Sequence, residues 1–182
     1  MTRYVALDLE TTSLDKKYAV PLEIAAVEYS PDPAVAARTI LLAPRHRMEI
    51  FALADPEALT INRFFERGVY RAWPAGSEET ADQLIELSDF LRGATIVGAN
   101  PAYDTAVLGR YLRERVQRIE PWHHRLYDVE CATAAVKGLE SIPSLKDCLT
   151  LWDLPAQEYA HTALGDARAA LAVFHAIRGA SK

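Results

Sequence analysis

The segment "YVALDLETT" (residues 4–12) constrains this chain more than any other. Successive residues of a strand point to opposite faces. Val5, Leu7 and Leu9 share one face, and Tyr4, Ala6, Asp8 and Glu10 share the other. Both faces begin apolar, which predicts a central strand covered on both sides. Asp8 and Glu10 then stand about 7 Å apart on one face, from the rise of a strand. Two carboxylates beside an apolar core repel each other, and loss of water favours their protonation. A strand end open to water would relieve this, and so would a bound cation.

The remaining residues supply what such a strand needs. The chain has 182 residues, half of them hydrophobic, enough for one domain spanning residues 1–182 with a sizeable core. Formal net charge is −5, which argues against broad electrostatic coating of nucleic acid but leaves room for a local basic groove. Cys131 and Cys148 fit no metal-ligand spacing. They read as reduced core or near-core thiols of a cytoplasmic protein. No charged-then-apolar leader pattern opens the chain. No apolar run approaches the ~18–20 residues needed to cross a bilayer, so no membrane association is expected.

Strands are predicted over residues 3–9, 21–30 and 34–43, with "SPDP" (30–33) as the turn between the last two, and over 94–99 and 125–129. A helix follows Ser77 as N-cap, with Leu84, Leu87 and Leu91 as its apolar stripe and Gly93 as its stop. Another follows Asn100 as cap, with Pro101 at its first position. Further helices are predicted near 130–138, 144–151 and 162–178, while residues 44–78 read as irregular apart from a turn or two in "DPEALTIN". The order predicts an α/β fold, a mixed five-stranded sheet flanked by helices.

Two more acids repeat the oddity of the first strand. Asp104 stands three and four residues before Val107 and Leu108, on the apolar side of its helix. Asp166 lies four, eight and eleven positions before Ala170, Phe174 and Ile177, again on the inward side. Both fall in or near a first helical turn, where the helix dipole favours negative charge. Any one of Asp8, Glu10, Asp104 and Asp166 reads most simply as a capping or water-exposed acid. All four together, on three separate elements, would require four independent accidents. Oxygen-only ligands suit hard cations, Mg²⁺ or Mn²⁺. Two such ions about 3.5–4 Å apart clamp both the attacking and leaving oxygens of a phosphodiester. His161 stands five residues before Asp166. An imidazole of ordinary pKa suits a general base at neutral pH. His46, His123, His124 and His175 read as structural or solvated.

Three motifs now carry a resemblance. "DLETTSLD" (8–15), "GANPAYDTAVL" (98–108) and "HTALGDARAA" (161–170) occur in that order. They resemble the three motifs of the DEDDh branch of 3′–5′ exonucleases, the group of the polymerase III epsilon subunit, RNase T and oligoribonuclease. The tyrosine branch carries Tyr four residues before the last Asp; here that position is Thr162. The resemblance implies a ribonuclease H-like fold and two-metal hydrolysis that releases nucleoside 5′-monophosphates from a 3′ end. Asp8, Glu10, Asp104 and Asp166 would hold two Mg²⁺ or Mn²⁺ ions, with His161 as base. Thr11, Leu14, Asn100 and Tyr103 match substrate-contact positions. Ser13 departs from a usual Gly, which matters if that turn requires positive φ, and Ala99 departs from a frequent His. Asp128 in "LYDVECATAA" matches a recurrent supporting acid.

The expected partners are single-stranded DNA or RNA 3′ ends, bound without base-edge readout. Arg110, Arg113, Arg115 and Arg118 read as a solvated helix face, as do Arg45 and Arg47 around His46. Asn62, Phe64 and Phe65 are candidates to cover a terminal base. No polymerase-binding tail is visible, and a homodimer would be unsurprising without being spelled out. Two alternatives share these residues: a non-catalytic nucleic-acid or protein-binding module, and a nuclease restricted to short oligonucleotides.

Overall fold

A computed structural model describes residues 2–31, 37–157 and 159–180. It contains strands β1 (Tyr4–Thr11), β2 (Pro21–Glu28) and β3 (Thr39–Leu42), then short helices α1 (Pro56–Asn62) and α2 (Phe64–Arg67). After these come α3 (Ser77–Leu91), β4 (Thr95–Gly98), α4 (Pro101–Val116), β5 (Tyr127–Asp128), α5 (Val129–Lys137), α6 (Leu145–Leu151) and α7 (Ala163–Ala180). The five strands form one mixed sheet in the order β3-β2-β1-β4-β5. β1 and β3 run antiparallel to β2, while β4 runs parallel to β1 and to β5. β1 is therefore the central strand that its two apolar faces predicted.

Each face of β1 has its own cover. Val5, Leu7 and Leu9 pack in one cluster with Leu84, Leu87 and Leu91 of α3 and Leu108 and Leu112 of α4. Ala6 packs with Ala25 and Val27 of β2 against Ala163 and Ala167 of α7. Alanine on both sides lets this helix lie close to the sheet, which brings the N-terminal turn of α7 to the acid-bearing end of β1. β1 also outruns β4: their pairing covers Tyr4–Ala6 only. The β1 backbone beyond Ala6 is open on that side, and the start of α4 fills the gap.

Several local expectations need correction. Ser77 is the first residue of α3; Gly76 takes the cap position and supplies no capping hydrogen bond. Asn100 does precede α4, but in a left-handed conformation (φ 52°) and without a side-chain cap. Its backbone turns the chain sharply from β4 into α4. β2 stops at Glu28, two residues before the predicted end. Part of the "SPDP" turn and the start of the predicted third strand lie outside the described residues. The predicted turn or two in "DPEALTIN" is α1, while the rest of 44–78 is more helical than expected, with α2 and two 3₁₀ turns. Cys131 is exposed on α5, unlike buried Cys148, and both are free thiols. Among the described residues, no helix is long and apolar enough to cross a membrane.

Candidate active site

The end of β1 and the start of α7 bring three acids together. Carboxylate oxygens of Asp8, Glu10 and Asp166 lie within 4.8 Å of one another. Asp104 approaches from α4, 5% exposed, and its Oδ1 accepts the Leu9 backbone N–H at 3.0 Å. That bond uses the amide left open where β4 ends, so Asp104 is fixed beside the cluster but outside the three-acid group. Burial raises all four carboxyl pKa values, and repulsion from neighbouring acids adds to it for Asp8, Glu10 and Asp104. Glu10 is pushed up to about 8 by burial and then by Asp166, with Arg67 opposing. Burial takes Asp104 to about 7 against the lowering effect of the Leu9 amide. Asp8 is raised well above the carboxylate range by burial, then by Asp104, Asp166 and Glu10. Asp166 is raised by burial and held down by Gln157 and His161.

Hard oxygen donors crowded in this way fit a divalent cation. Acids that repel and hold protons when alone become acceptable once a double positive charge lies between them. The Gln157 side-chain amide donates to Asp166 Oδ1. His161 is exposed, precedes α7 in a left-handed conformation (φ 58°), and lines the same cleft as Asp8 and Asp166. A non-glycine residue held there costs about 1 kcal/mol or more, a strain that concentrates at functional sites. The cleft has a volume of about 860 Å³, and Leu145, Lys146, Leu149 and Leu154 line it together with the acids.

A second group of predicted residues meets at Thr11, the last residue of β1. The hydroxyls of Thr11 and Tyr103 are 2.8 Å apart, and both reach the Ser13 carbonyl, at 2.8 and 2.5 Å. These bonds fix the loop that presents Leu14, which is 57% exposed. Ser13 is not among the residues with positive φ, so this turn does not require glycine. Asn100 is exposed. Ala99 lines the cleft, where a histidine would stand in the resembled motif.

Other candidates resolve into structural roles. Asn62 is buried: its Nδ2 donates to the Thr11 carbonyl at 3.0 Å, and its Oδ1 accepts Phe64 N–H at 3.0 Å. Phe64 is core at 1% exposed, which leaves Phe65, at 47%, as the one aromatic of that pair facing outward. Asp128 caps α5 by accepting from the amides of Glu130 and Cys131. His46 is buried against the Pro21 carbonyl at 2.6 Å. Arg110 donates to the Ala19 carbonyl, and Arg113 pairs with Glu120 at 2.5 Å. Sequence reasoning missed Glu23 and Arg67. Glu23 faces Glu10 across the β1–β2 ladder, and Arg67 pairs with it at 2.8 Å. Glu23 could have been found, because it shares an inward strand face with Ala25 and Val27; nothing in the sequence singles out Arg67.

No family model and no curated protein matches the chain. Solved structures do. Exonuclease I of E. coli, in complex with a dT13 oligonucleotide, superposes with a TM-score of 0.71 at 14% identity. The moderately thermophilic exonuclease I of Methylocaldum szegediense gives 0.68 at 18%. A zinc-bound E. coli exonuclease I–ssDNA complex gives 0.74 at 15%. Each match covers 98% of this chain but 41% of the other, so the chain spans about two fifths of the length of these proteins. The fold of this chain is therefore the one these exonuclease I structures share, with its five strands in one mixed sheet.

Proposed function

We propose that this chain is a single metal-dependent 3′–5′ exonuclease domain that shortens single-stranded nucleic acid and releases nucleoside 5′-monophosphates. The observation that carries the reading is the meeting of Asp8, Glu10 and Asp166 oxygens within 4.8 Å. Asp104 is anchored beside them and His161 stands in the same cleft. In this reading the four acids hold two Mg²⁺ or Mn²⁺ ions. Such ions activate water and stabilise the leaving oxygen. His161 takes the proton of the attacking water as its oxygen bonds to phosphorus and the P–O3′ bond breaks. Its exposure suits it to pass that proton on to solvent. Leu14 and Tyr103, with the Thr11 backbone, lie where a terminal nucleotide would rest, and the Thr11–Tyr103–Ser13 bonds hold that edge in place. Exonuclease I neighbours solved with single-stranded oligonucleotides support DNA as the first substrate to try. A cytoplasmic setting with reduced thiols belongs to the same proposal.

A 5′-labelled single strand with Mg²⁺ should give a ladder shortened from the 3′ end. Asp8→Ala and Asp166→Ala should abolish it. His161→Ala should slow it by about 10²–10⁴-fold while leaving Mn²⁺ binding unchanged. A protein inert on DNA, RNA and dinucleotides alike overturns the proposal.

A further inference from the structure

Glu23 stands directly opposite Glu10 in the antiparallel β1–β2 ladder, and each is 9% exposed. Like charges facing each other across strands destabilise a sheet, and an unpaired buried charge is costlier still. Arg67 answers both problems. Its Nη2 donates to Glu23 Oε2 at 2.8 Å and its Nη1 to Oε1 at 3.4 Å. Its Nε donates to the Asn62 carbonyl at 2.8 Å. A planar guanidinium can serve all three acceptors at once, which an ammonium cannot do in the same geometry.

The pair is wired into the site from both sides. Asn62, held by Arg67 through its carbonyl, donates from Nδ2 to the Thr11 carbonyl at the end of β1. Glu23 Oε2 also accepts from the backbone N–H of Ala163 at 3.4 Å, three residues before Asp166. One ion pair thus connects β1, β2, α2 and the first turn of α7. Neither Glu23 nor Arg67 belongs to any of the three motifs.

We propose that Arg67 is a positioning residue for the acid cluster: it holds the Glu23 carboxylate away from the Glu10 and Asp166 oxygens and keeps the end of β1 in register with α7. This inference rests on reading the four acids as metal ligands. It differs from a simple charge effect in turnover and in the ligands around the ion, not in affinity. A cation that acted only by charge would weaken divalent-ion binding, so its loss would tighten binding and leave the ion in place. A positioning residue, once lost, frees a fifth carboxylate beside Glu10. The ion then binds as well or better, shared with Glu23, and turnover falls.

The test measures Mn²⁺ binding by electron paramagnetic resonance, together with kcat and KM on a labelled DNA strand, for wild type, R67Q, R67K, E23Q and R67Q/E23Q. R67Q should retain Mn²⁺ with an altered spectrum and lose about 10–100-fold in kcat, the usual scale for a group that orients metal ligands, with KM little changed. R67K, which keeps the charge but loses the fork, should fall between. E23Q should stay close to wild type, and R67Q/E23Q should recover most of the kcat lost in R67Q. Wild-type kcat in R67Q, no recovery in the double variant, or an E23Q as inactive as D8A would each overturn the proposal. If R67Q fails to fold, R67K and R67K/E23Q carry the same comparison. If wild type binds Mn²⁺ but hydrolyses nothing, the nuclease reading fails separately. The spectra then decide: R67Q must change the Mn²⁺ signal and R67Q/E23Q must restore it.

Discussion

At the scale of single residues, burial holds the Glu10 carboxyl up to about 8 and that of Asp104 up to about 7. Both folded pKa values lie above the unfolded ones, so between them the folded chain binds more protons than the unfolded chain. Stability must then fall as pH rises through that window. His46 works in the opposite direction: burial lowers it to about 4, so its contribution rises with pH as the unfolded imidazole loses its proton, and is complete above about 6.5. The acids are therefore read cleanly only above that point. In EDTA the melting temperature should decline from pH 6.5 to 8, and Mg²⁺ or Mn²⁺ should restore it more at pH 8 than at 6.5. Metal binding should also release protons, measurable by calorimetry in buffers of different ionisation enthalpy. A metal-independent melting temperature across this range would contradict the cation-binding reading. The four acids were legible because period-2 and period-3.6 patterns place an inward carboxylate among apolar neighbours. The pairing of Glu23 with Arg67 was not, because it joins residues 44 positions apart through a strand register and a helix that no local pattern predicts.

At the scale of elements, the site depends on how closely α7 lies against the sheet. Ala163 and Ala167 meet Ala6 and Ala25, and Gly165 runs so close to the chain before it that a side chain there would strike the Tyr159 carbonyl. That carbonyl already accepts the Thr162 hydroxyl at 2.9 Å, and the same hydroxyl accepts Gly165 N–H at 3.0 Å. Gly165→Ala must therefore displace either the loop that carries His161 or the turn that carries Asp166. It should cost about 1–3 kcal/mol, the range for overpacking, and lower activity more than Ala180→Gly at the exposed end of α7. Thermal melting and the cleavage ladder measure the two effects. Unchanged melting and activity would show that the turn yields freely. The ends of the long helices were legible from Pro101, Gly93 and the apolar stripes. The caps were not: Ser77 and Asn100 have capping chemistry, but Gly76 and a left-handed Asn100 backbone make the turns instead. Within residues 44–78 only α1 was legible, in "DPEALTIN"; α2 and the 3₁₀ turns are too short to display a period.

At the scale of the whole molecule, charge bears on how a strand would be held. Formal net charge is −5, and many surface arginines are already engaged. Arg3, Arg63, Arg92, Arg110 and Arg113 each pair with an acid, and Arg178 lies against the Tyr4, Tyr29 and Phe174 rings. Lys146 is the lysine among the residues that line the cleft. Each neutralised phosphate adds about 0.7 to the slope of log affinity against log salt for a single strand. A chain with so few cations at its cleft should therefore show a slope near −1 to −2. Weak backbone contact also implies release after each cut. Digestion here should be distributive. With labelled strand prebound and a large excess of unlabelled strand added together with Mg²⁺, products should be shortened by one or very few nucleotides. Extensive shortening in a single binding event would mean that the cleft grips many phosphates despite the acidic total. The sparse cation count at the active face would then be the wrong guide to substrate hold.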